Sequence, residues 1–497
     1  MAETSVSART LESVLGDWRN GASAYVALAD RIRLLILDGR ISTDSRLPAE
    51  RELGTRLGIS RTTVTAAYRK LRTDGFLVSV QGSGSVARLP RNAPPLAAVE
   101  SSGILDFSKA TMPALDGLPE ISALAAGDLA AHLGDSGFDP VGIPELRTAI
   151  ADRYAARGLP TDPEQVMVTI GAQHAIALLA RVLIGRGDRA LIEMPTYPHA
   201  YEALRASGAR LVPVNVSARG AVPDASGASG AGWDETALLQ ALQRSNPVVG
   251  YLMPDFHNPT GETMPLDQRE RVLAAAARQG TVLIADETMA EFNIDRPGTF
   301  PPFAASADPA APGTADPAAP GTAVLIGSVA KTVWGGIRIG WIRAERPLIR
   351  KLVAARSSND LGTPILEQLI VTRLLADMPA ILERRNAQLR IGRDHLEGLL
   401  ADRFPEWTVP HVNGGITTWV NLGAPVSSQL ALAARNYGLL VPAGPRFGID
   451  GAFERFLRLP FSYPLEDMDR AVDALALARD SMRRHPVPDT GYLADVV

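Results

Sequence analysis

The chain of 497 residues contains no cysteine, which excludes disulfides, thiolate zinc sites and cysteine nucleophiles. No apolar run reaches the roughly eighteen residues that a bilayer-spanning helix needs. The opening MAETSVSARTLES lacks the basic-then-apolar plan of a secretory signal. These absences predict a cytoplasmic protein with neither a membrane partner nor a metal centre.

What remains is ordinary for a folded chain: 46% hydrophobic and 21% charged residues. The length exceeds what one small core can serve, so two or three domains are expected. A net charge of −4 conceals an asymmetry. Between Arg19 and Arg88, twelve Lys plus Arg face six Asp plus Glu, a balance of +6, and the remainder carries 38 against 48, or −10. A basic small domain on an acidic large one points to nucleic acid as a partner of the first alone, although a solvated basic surface would look the same.

Within Tyr25–Gly39, Leu28, Ile32, Leu35 and Ile36 share one helical face, and Asp38-Gly39 gives a stop signal. A second helix is predicted from Pro48 through Leu53 and Leu57 to Gly58. Ser60 can cap a third, in which Val64, Ala67, Tyr68 and Leu71 form the buried face. The opposite face carries Arg61, Thr62, Thr65, Arg69 and Arg72. FLVSVQGSGSVAR then reads as two short strands around a Gly-rich turn. Helix, turn, helix and hairpin make a winged helix-turn-helix, whose third helix presents its N-terminal residues to base edges in the major groove. The wing residues Gln81, Gly82, Ser83 and Gly84 offer backbone N–H groups to phosphate. A protein-binding three-helix unit is the alternative.

LPRNAPPLAAVESSG follows without periodicity and reads as a linker. Two later stretches read as surface insertions: residues 217–232, rich in Gly, Ala and Ser, and the tandem ADPAAPGT at 307–314 and 315–322.

From about residue 104, strand candidates alternate with helical patterns: 166–170, 189–193, 248–253, 281–287, 323–328 and 338–344. Such alternation implies an α/β layer fold with a mainly parallel sheet, whose ligands sit at the carboxyl ends of strands. The polar residues of interest fall there. Gly171-Ala172-Gln173 opens a helix whose free N–H groups suit a phosphate. Tyr197 can lie against a flat ring or pack as a surface tyrosine, and Asn258 lies in a turn, His257-Asn258-Pro259-Thr260-Gly261. Asp286 ends an apolar run and needs a cationic partner, which a protonated pyridine nitrogen would supply. Ser328 and Arg338 can hold a phosphate, and Lys331 between them can form a Schiff base with an aldehyde if its pKa is lowered.

The string LPAERELGTRLGISRTTVTAAYRKLRTDGFL closely resembles the GntR family of bacterial regulators. That resemblance places Arg51, Arg61, Thr62, Thr63 and the wing glycines at DNA-contacting positions, with Ser60, Thr65, Arg69 and Gln81 counted beside them. Residues from about 104 to 485 resemble fold-type I pyridoxal phosphate enzymes, specifically the aminotransferase-like half of MocR-type regulators. The resemblance implies a Schiff base on Lys331, Asp286 on the pyridine nitrogen, Asn258 on the ring hydroxyl and Tyr197 stacked on the ring. It implies Ala172, Gln173, Ser328 and Arg338 on the phosphate, and Arg458, in FLRLPF, on an effector's carboxylate. A strand-edge salt bridge is the other reading of Arg458. One position departs: where the family usually has tyrosine two residues after the aspartate, this chain has Thr288.

The expected organisation is an extension (1–20), a winged helix-turn-helix (21–88), a linker (89–103), an aminotransferase-like domain (large part about 104–355, smaller α+β part about 356–485) and a tail (486–497). The expected function is a transcriptional regulator that binds pyridoxal 5'-phosphate and an amino compound, as a homodimer on a double-stranded DNA operator. A working aminotransferase with an attached DNA-binding domain is the rival, and a cofactor-free dimerisation scaffold the third reading.

Overall fold

The computed structural model describes residues 5–15, 18, 23–37, 41, 45–80, 84–88, 104–134, 136–219, 231–296, 300–307, 323–449 and 452–484. The linker, most of both insertions, Asp38-Gly39, and wing residues Gln81, Gly82 and Ser83 lie outside them.

The N-terminal unit has four helices, α1 (Ala8–Leu15), α2 (Ala24–Leu37), α3 (Glu50–Leu57) and α4 (Arg61–Thr73), then a hairpin of β1 (Leu77–Val80) and β2 (Gly84–Ala87). The third predicted helix has the expected start: Ser60 is extended and its hydroxyl accepts from the Thr63 amide at 3.0 Å, satisfying one of the four free donors there. The second starts at Glu50, two residues later than predicted, because Ala49 is still extended at ψ 142°; the Pro48 carbonyl accepts from the Tyr68 hydroxyl at 3.0 Å. Gly58 closes α3 in the left-handed region at φ +64°, and its amide bonds the Gly54 carbonyl, which sets the tight turn into α4. Leu11 and Leu15 of α1 pack in one cluster with Leu28, Ile32, Leu53, Val64 and Leu71, so residues read as an extension contribute to this core.

The large part holds an eight-stranded sheet of β4 (Val166–Thr169), β5 (Arg189–Met194), β6 (Arg210–Ser217), β7 (Gly232–Trp233), β8 (Val249–Leu252), β9 (Val282–Asp286), β10 (Ala323–Ser328) and β11 (Gly340–Arg343). Its order is β4-β11-β10-β9-β8-β5-β6-β7. The pairs from β6 across to β10 are parallel, whereas β11 runs antiparallel to both β10 and β4. The mainly parallel sheet is therefore present, with its apolar strands buried between helical layers as such a sheet requires. The six predicted strands are all there, each within two residues at either end. β6 and β7 were not predicted.

The smaller C-terminal part pairs β12 (Thr417–Asn421) antiparallel with β14 (Phe456–Pro460), against the long helix Met378–Arg403 and the helix Leu465–Arg484. A further parallel pair joins β3 (Leu105–Asp106) to β13 (Leu439–Leu440). The chain thus enters the second half through the small part, and Phe107 packs in its core. No helix among the described residues is long and apolar enough to cross a membrane.

Candidate cofactor pocket and nucleic-acid interface

A cavity of about 390 Å³ opens at the carboxyl ends of the parallel strands. Its walls include Ala172, Gln173, Tyr197, Asn258, Asp286, Thr288, Ser328, Lys331 and Arg338, nine of the ten residues expected around a bound cofactor and effector. Strand-end geometry brings them together: β10 and β9 run in parallel register with Ile326 beside Asp286, so Ser328 and Lys331 emerge next to the carboxylate.

The phosphate end is built from glycine. Gly171 begins the helix Gly171–Leu183 at φ +73°, and a Cβ there would lie 2.8 Å from Nη2 of Arg338. Arg338, itself at φ +52°, donates from Nη2 to the Ile170 carbonyl at 3.2 Å. Gly340 lets β11 approach the same turn, since a Cβ would come within 2.6 Å of the Gly171 carbonyl carbon. A guanidinium and a helix N-terminus thus converge where an anion would be bound by both. The buried side-chain oxygen of Gln173 has no partner. Ser328 differs from expectation: its hydroxyl donates to the Ile339 carbonyl at 3.0 Å and accepts from the Ala330 amide at 3.1 Å. It must rotate before it can donate to a phosphate.

The ring end is acidic on one side and apolar elsewhere. Asp286 is buried, with Oδ2 accepting from the Tyr251 hydroxyl at 2.6 Å and Oδ1 from the Thr288 amide at 3.0 Å. Both oxygens thus accept hydrogen bonds, yet no cation forms an ion pair with Asp286 among the described residues, which leaves the place a pyridinium would take. Tyr251 was missed in the sequence because it sits inside the apolar run of β8. Asn258 follows β8 through a cis peptide to Pro259, and its buried Oδ1 is unpartnered. Burial, then the nearby Asp286 charge, push the Tyr197 phenol well above its usual range, so it presents a neutral ring.

Lys331 lies between these groups. Burial, and after it the positive charge of Arg458, push its amine down to about 8, with Asp286 acting the other way. A lysine so placed is neutral often enough to attack a carbonyl near physiological pH. Its Nζ donates to the Ala110 carbonyl at 2.6 Å.

Arg458 is the expected residue that the cavity does not include. It sits on β14 opposite Trp419, fully buried, its guanidinium 5.2 Å from the Phe447 ring centre. Nη2 bonds the Ser108 carbonyl, whereas Nε and Nη1 have no partner. Burial pushes this group down to about 10. No ion pair to it exists among the described residues, which disfavours the strand-edge salt bridge. Two unsatisfied donors on a buried cation are costly unless a ligand completes them.

In the N-terminal unit, Arg61 and Thr62 are exposed and Thr63 half-buried at the start of α4, while Arg69 further along α4 and Arg51 on α3 are also exposed. Thr65 differs from expectation: its hydroxyl is held by the Arg61 carbonyl and by Glu50 at 2.7 Å, so it braces α4 against α3. Arg72 is likewise tied to Glu50 and to Ser85, both at 3.2 Å. The Ser60 hydroxyl serves the helix cap and contacts Thr62 and Thr63. Of the wing, Gly84 is described, exposed and at φ +79°.

Comparison with known proteins agrees with both halves. A family model for aminotransferase class I and II matches residues 105–475, and one for bacterial regulatory proteins of the gntR family matches residues 24–86. The HTH-type transcriptional regulator TauR of Rhodobacter capsulatus is 28% identical over 86% of this chain and 90% of its own length. The probable rhizopine catabolism regulatory protein MocR of Rhizobium meliloti is 31% identical over 67% of this chain and 64% of its own. Among solved structures, LysN, the alpha-aminoadipate aminotransferase of Thermus thermophilus complexed with N-(5'-phosphopyridoxyl)-L-leucine, aligns with a TM-score of 0.66 at 27% identity. That alignment covers 78% of this chain and 97% of LysN.

Proposed function

Because the chain belongs to the aminotransferase class I and II family and carries a gntR-type DNA-binding domain, we propose that it is a MocR-type transcriptional regulator whose cofactor pocket senses an amino compound. The observation that carries this reading is the convergence of Lys331, Asp286, Asn258 and Arg338 on one cavity, in a chain that also has a helix-turn-helix followed by a β1–β2 hairpin pairing. A cofactor-free scaffold has no use for a buried carboxylate without a cation or a lysine pushed down to about 8.

The residues fit pyridoxal 5'-phosphate. Arg338, the Ala172 and Gln173 turn and a rotated Ser328 would hold the phosphate, Asn258 would serve the ring hydroxyl, and Tyr197 would cover the ring face. Bound there, the cofactor supplies an aldehyde within reach of Lys331 and a ring that can accept electron density. Asp286, its carboxylate oriented by Tyr251 and the Thr288 amide, would face the ring nitrogen. Burial lowers the Lys331 amine to about 8, so a usable fraction is neutral and nucleophilic near physiological pH. Thr288 places a short hydroxyl where the family usually has a phenol, so the chain keeps the groups that bind and weakens one that assists turnover. Arg458 receives the effector's carboxylate. We place the protein in the cytoplasm as a homodimer, since two-fold pairing gives its DNA-binding domains two half-sites.

The rival is a working aminotransferase, which the intact set of lysine, aspartate and arginine also allows. Measuring steady-state transamination of common amino acids beside the affinity for a DNA fragment selected from a random library separates the two. A regulator selects a sequence tightly and turns over slowly. Fast turnover without sequence selection would overturn the proposal.

A further inference from the structure

We infer that the segment from Asp106 to Pro113 is an internal strap that occupies the effector's place, and that an amino acid signals by displacing it. This rests on the regulator reading above.

Side chains of the second half grip the backbone carbonyls of this segment almost one after another. Tyr463 donates to Lys109 O at 2.7 Å and also meets Asp106 O, while its ring stacks on Phe107 at 4.3 Å. Arg458 takes Ser108 O, Lys331 takes Ala110 O at 2.6 Å, Ser462 takes Thr111 O at 2.9 Å and Arg385 takes Pro113 O at 2.8 Å. Two of these donors belong to the proposed site: Lys331, which would engage the cofactor whose aldehyde an amine meets, and Arg458, which would take a carboxylate. A neutral carbonyl satisfies one guanidinium nitrogen of Arg458 and leaves Nε and Nη1 bare. A carboxylate can satisfy two of them at once, with charge assistance. Either bidentate fork of the guanidinium uses Nη2, which Ser108 holds, so a carboxylate can grip Arg458 that way only if Ser108 leaves. The ligand class follows: a compound carrying both an amine and a carboxylate releases the strap, and a plain amine does not.

The strap is also well placed to report its own release. It begins in β3, and the amides of Leu105, just before it, and Phe107, within it, bond the Gly438 and Leu440 carbonyls at β13, each at 2.8 Å. A few residues on, the Gly444 amide bonds the Ser427 hydroxyl at 2.9 Å. The neighbouring Ser428 and Glu454 together hold Arg31 of α2, a buried residue of the DNA-binding unit. In sequence, only residues 89–105 separate the strap from Arg88 of that unit. Release of the strap therefore bears on the DNA-binding unit through a packed contact and through the chain itself.

The test uses full-length protein loaded with pyridoxal 5'-phosphate. Amide hydrogen exchange over residues 105–115 reports the strap, and fluorescence anisotropy on the DNA fragment selected by wild type reports output. Arg458→Met removes one grip, and Tyr463→Phe removes another that lies outside the ligand-binding groups. Both variants should exchange several-fold faster at Phe107 and Leu115 and shift DNA affinity in one shared direction by about 5-fold or more, the lower end of allosteric coupling. Glycine, which carries both charged groups and no side chain, should speed strap exchange in wild type at matched ionic strength, and methylamine should not. Unchanged exchange in both variants, or faster exchange with DNA affinity unmoved, overturns the inference. Equal responses to glycine and methylamine overturn the ligand class. If wild type selects no DNA sequence at all, the regulator reading fails instead, and the exchange data still judge the strap.

Discussion

Gly171→Ala tests the phosphate end of the pocket with the smallest possible change. The position has φ +73°, which alanine adopts at a cost of about 1–2 kcal/mol. The new Cβ would sit 2.8 Å from Nη2 and 3.1 Å from Cζ of Arg338, both on a side chain that can swing away. Arg338 therefore moves, and its charge-assisted bond to the phosphate is lost or lengthened. Such a bond contributes about 1.5–3 kcal/mol, so pyridoxal 5'-phosphate should bind roughly 10- to 150-fold more weakly. The assay is equilibrium titration followed by the absorbance of the bound cofactor, run in parallel with pyridoxal, which lacks the phosphate. Pyridoxal affinity should stay within about twofold of wild type, because Lys331, Asp286 and Asn258 are untouched. Equal loss for both ligands would show that the substitution disturbs the whole site, and no loss for either would show that Arg338 does not hold the phosphate.

Other outcomes follow from the same structure. Lys331 reacts only as the neutral amine, so the rate at which the cofactor's visible band forms should rise with pH, half-maximal near its value of about 8, and level off above; a pH-independent rate contradicts the assignment. Ser60→Ala removes the α4 cap and should cost about 1 kcal/mol of stability, read as a lower Tm of the DNA-binding unit. Arg61→Ala and Arg69→Ala, both exposed, should leave Tm unchanged while weakening DNA binding, and each phosphate contact removed should reduce the salt slope by about 1. Without effector, Arg458→Met should match or exceed wild-type stability, because it removes a buried cation with two unsatisfied donors; a loss of 3 kcal/mol or more, about that of breaking a satisfied buried pair, would show that the arginine is structurally paired.

Much of this arrangement is legible in the residues themselves. Ser60 announces the start of α4 because its hydroxyl caps the helix locally, and the apolar runs of β4, β5 and β8 to β10 end at the pocket because a parallel sheet leaves its ligands nowhere else. β6 is hidden by Pro213 in the middle of its run, tolerated here because parallel pairing with β5 does not need an N–H at every position. The α1 contribution is hidden because Leu11 and Leu15 alone make too short a pattern to read. Thr65 looks like a DNA-facing residue on helical spacing, and only the approach of Glu50 from α3 shows that it is spent inside. The role of Tyr251 and the grip on the strap depend on residues distant in sequence meeting side by side, which neither periodicity nor motif spacing encodes.

Titrating pyridoxal 5'-phosphate into apo-protein while following its affinity for a selected DNA fragment, in wild type and in Lys331→Ala, tests the central claim most directly. The expected result is a cofactor-dependent change in DNA affinity in wild type that Lys331→Ala lacks. DNA binding that ignores the cofactor in both proteins would contradict it.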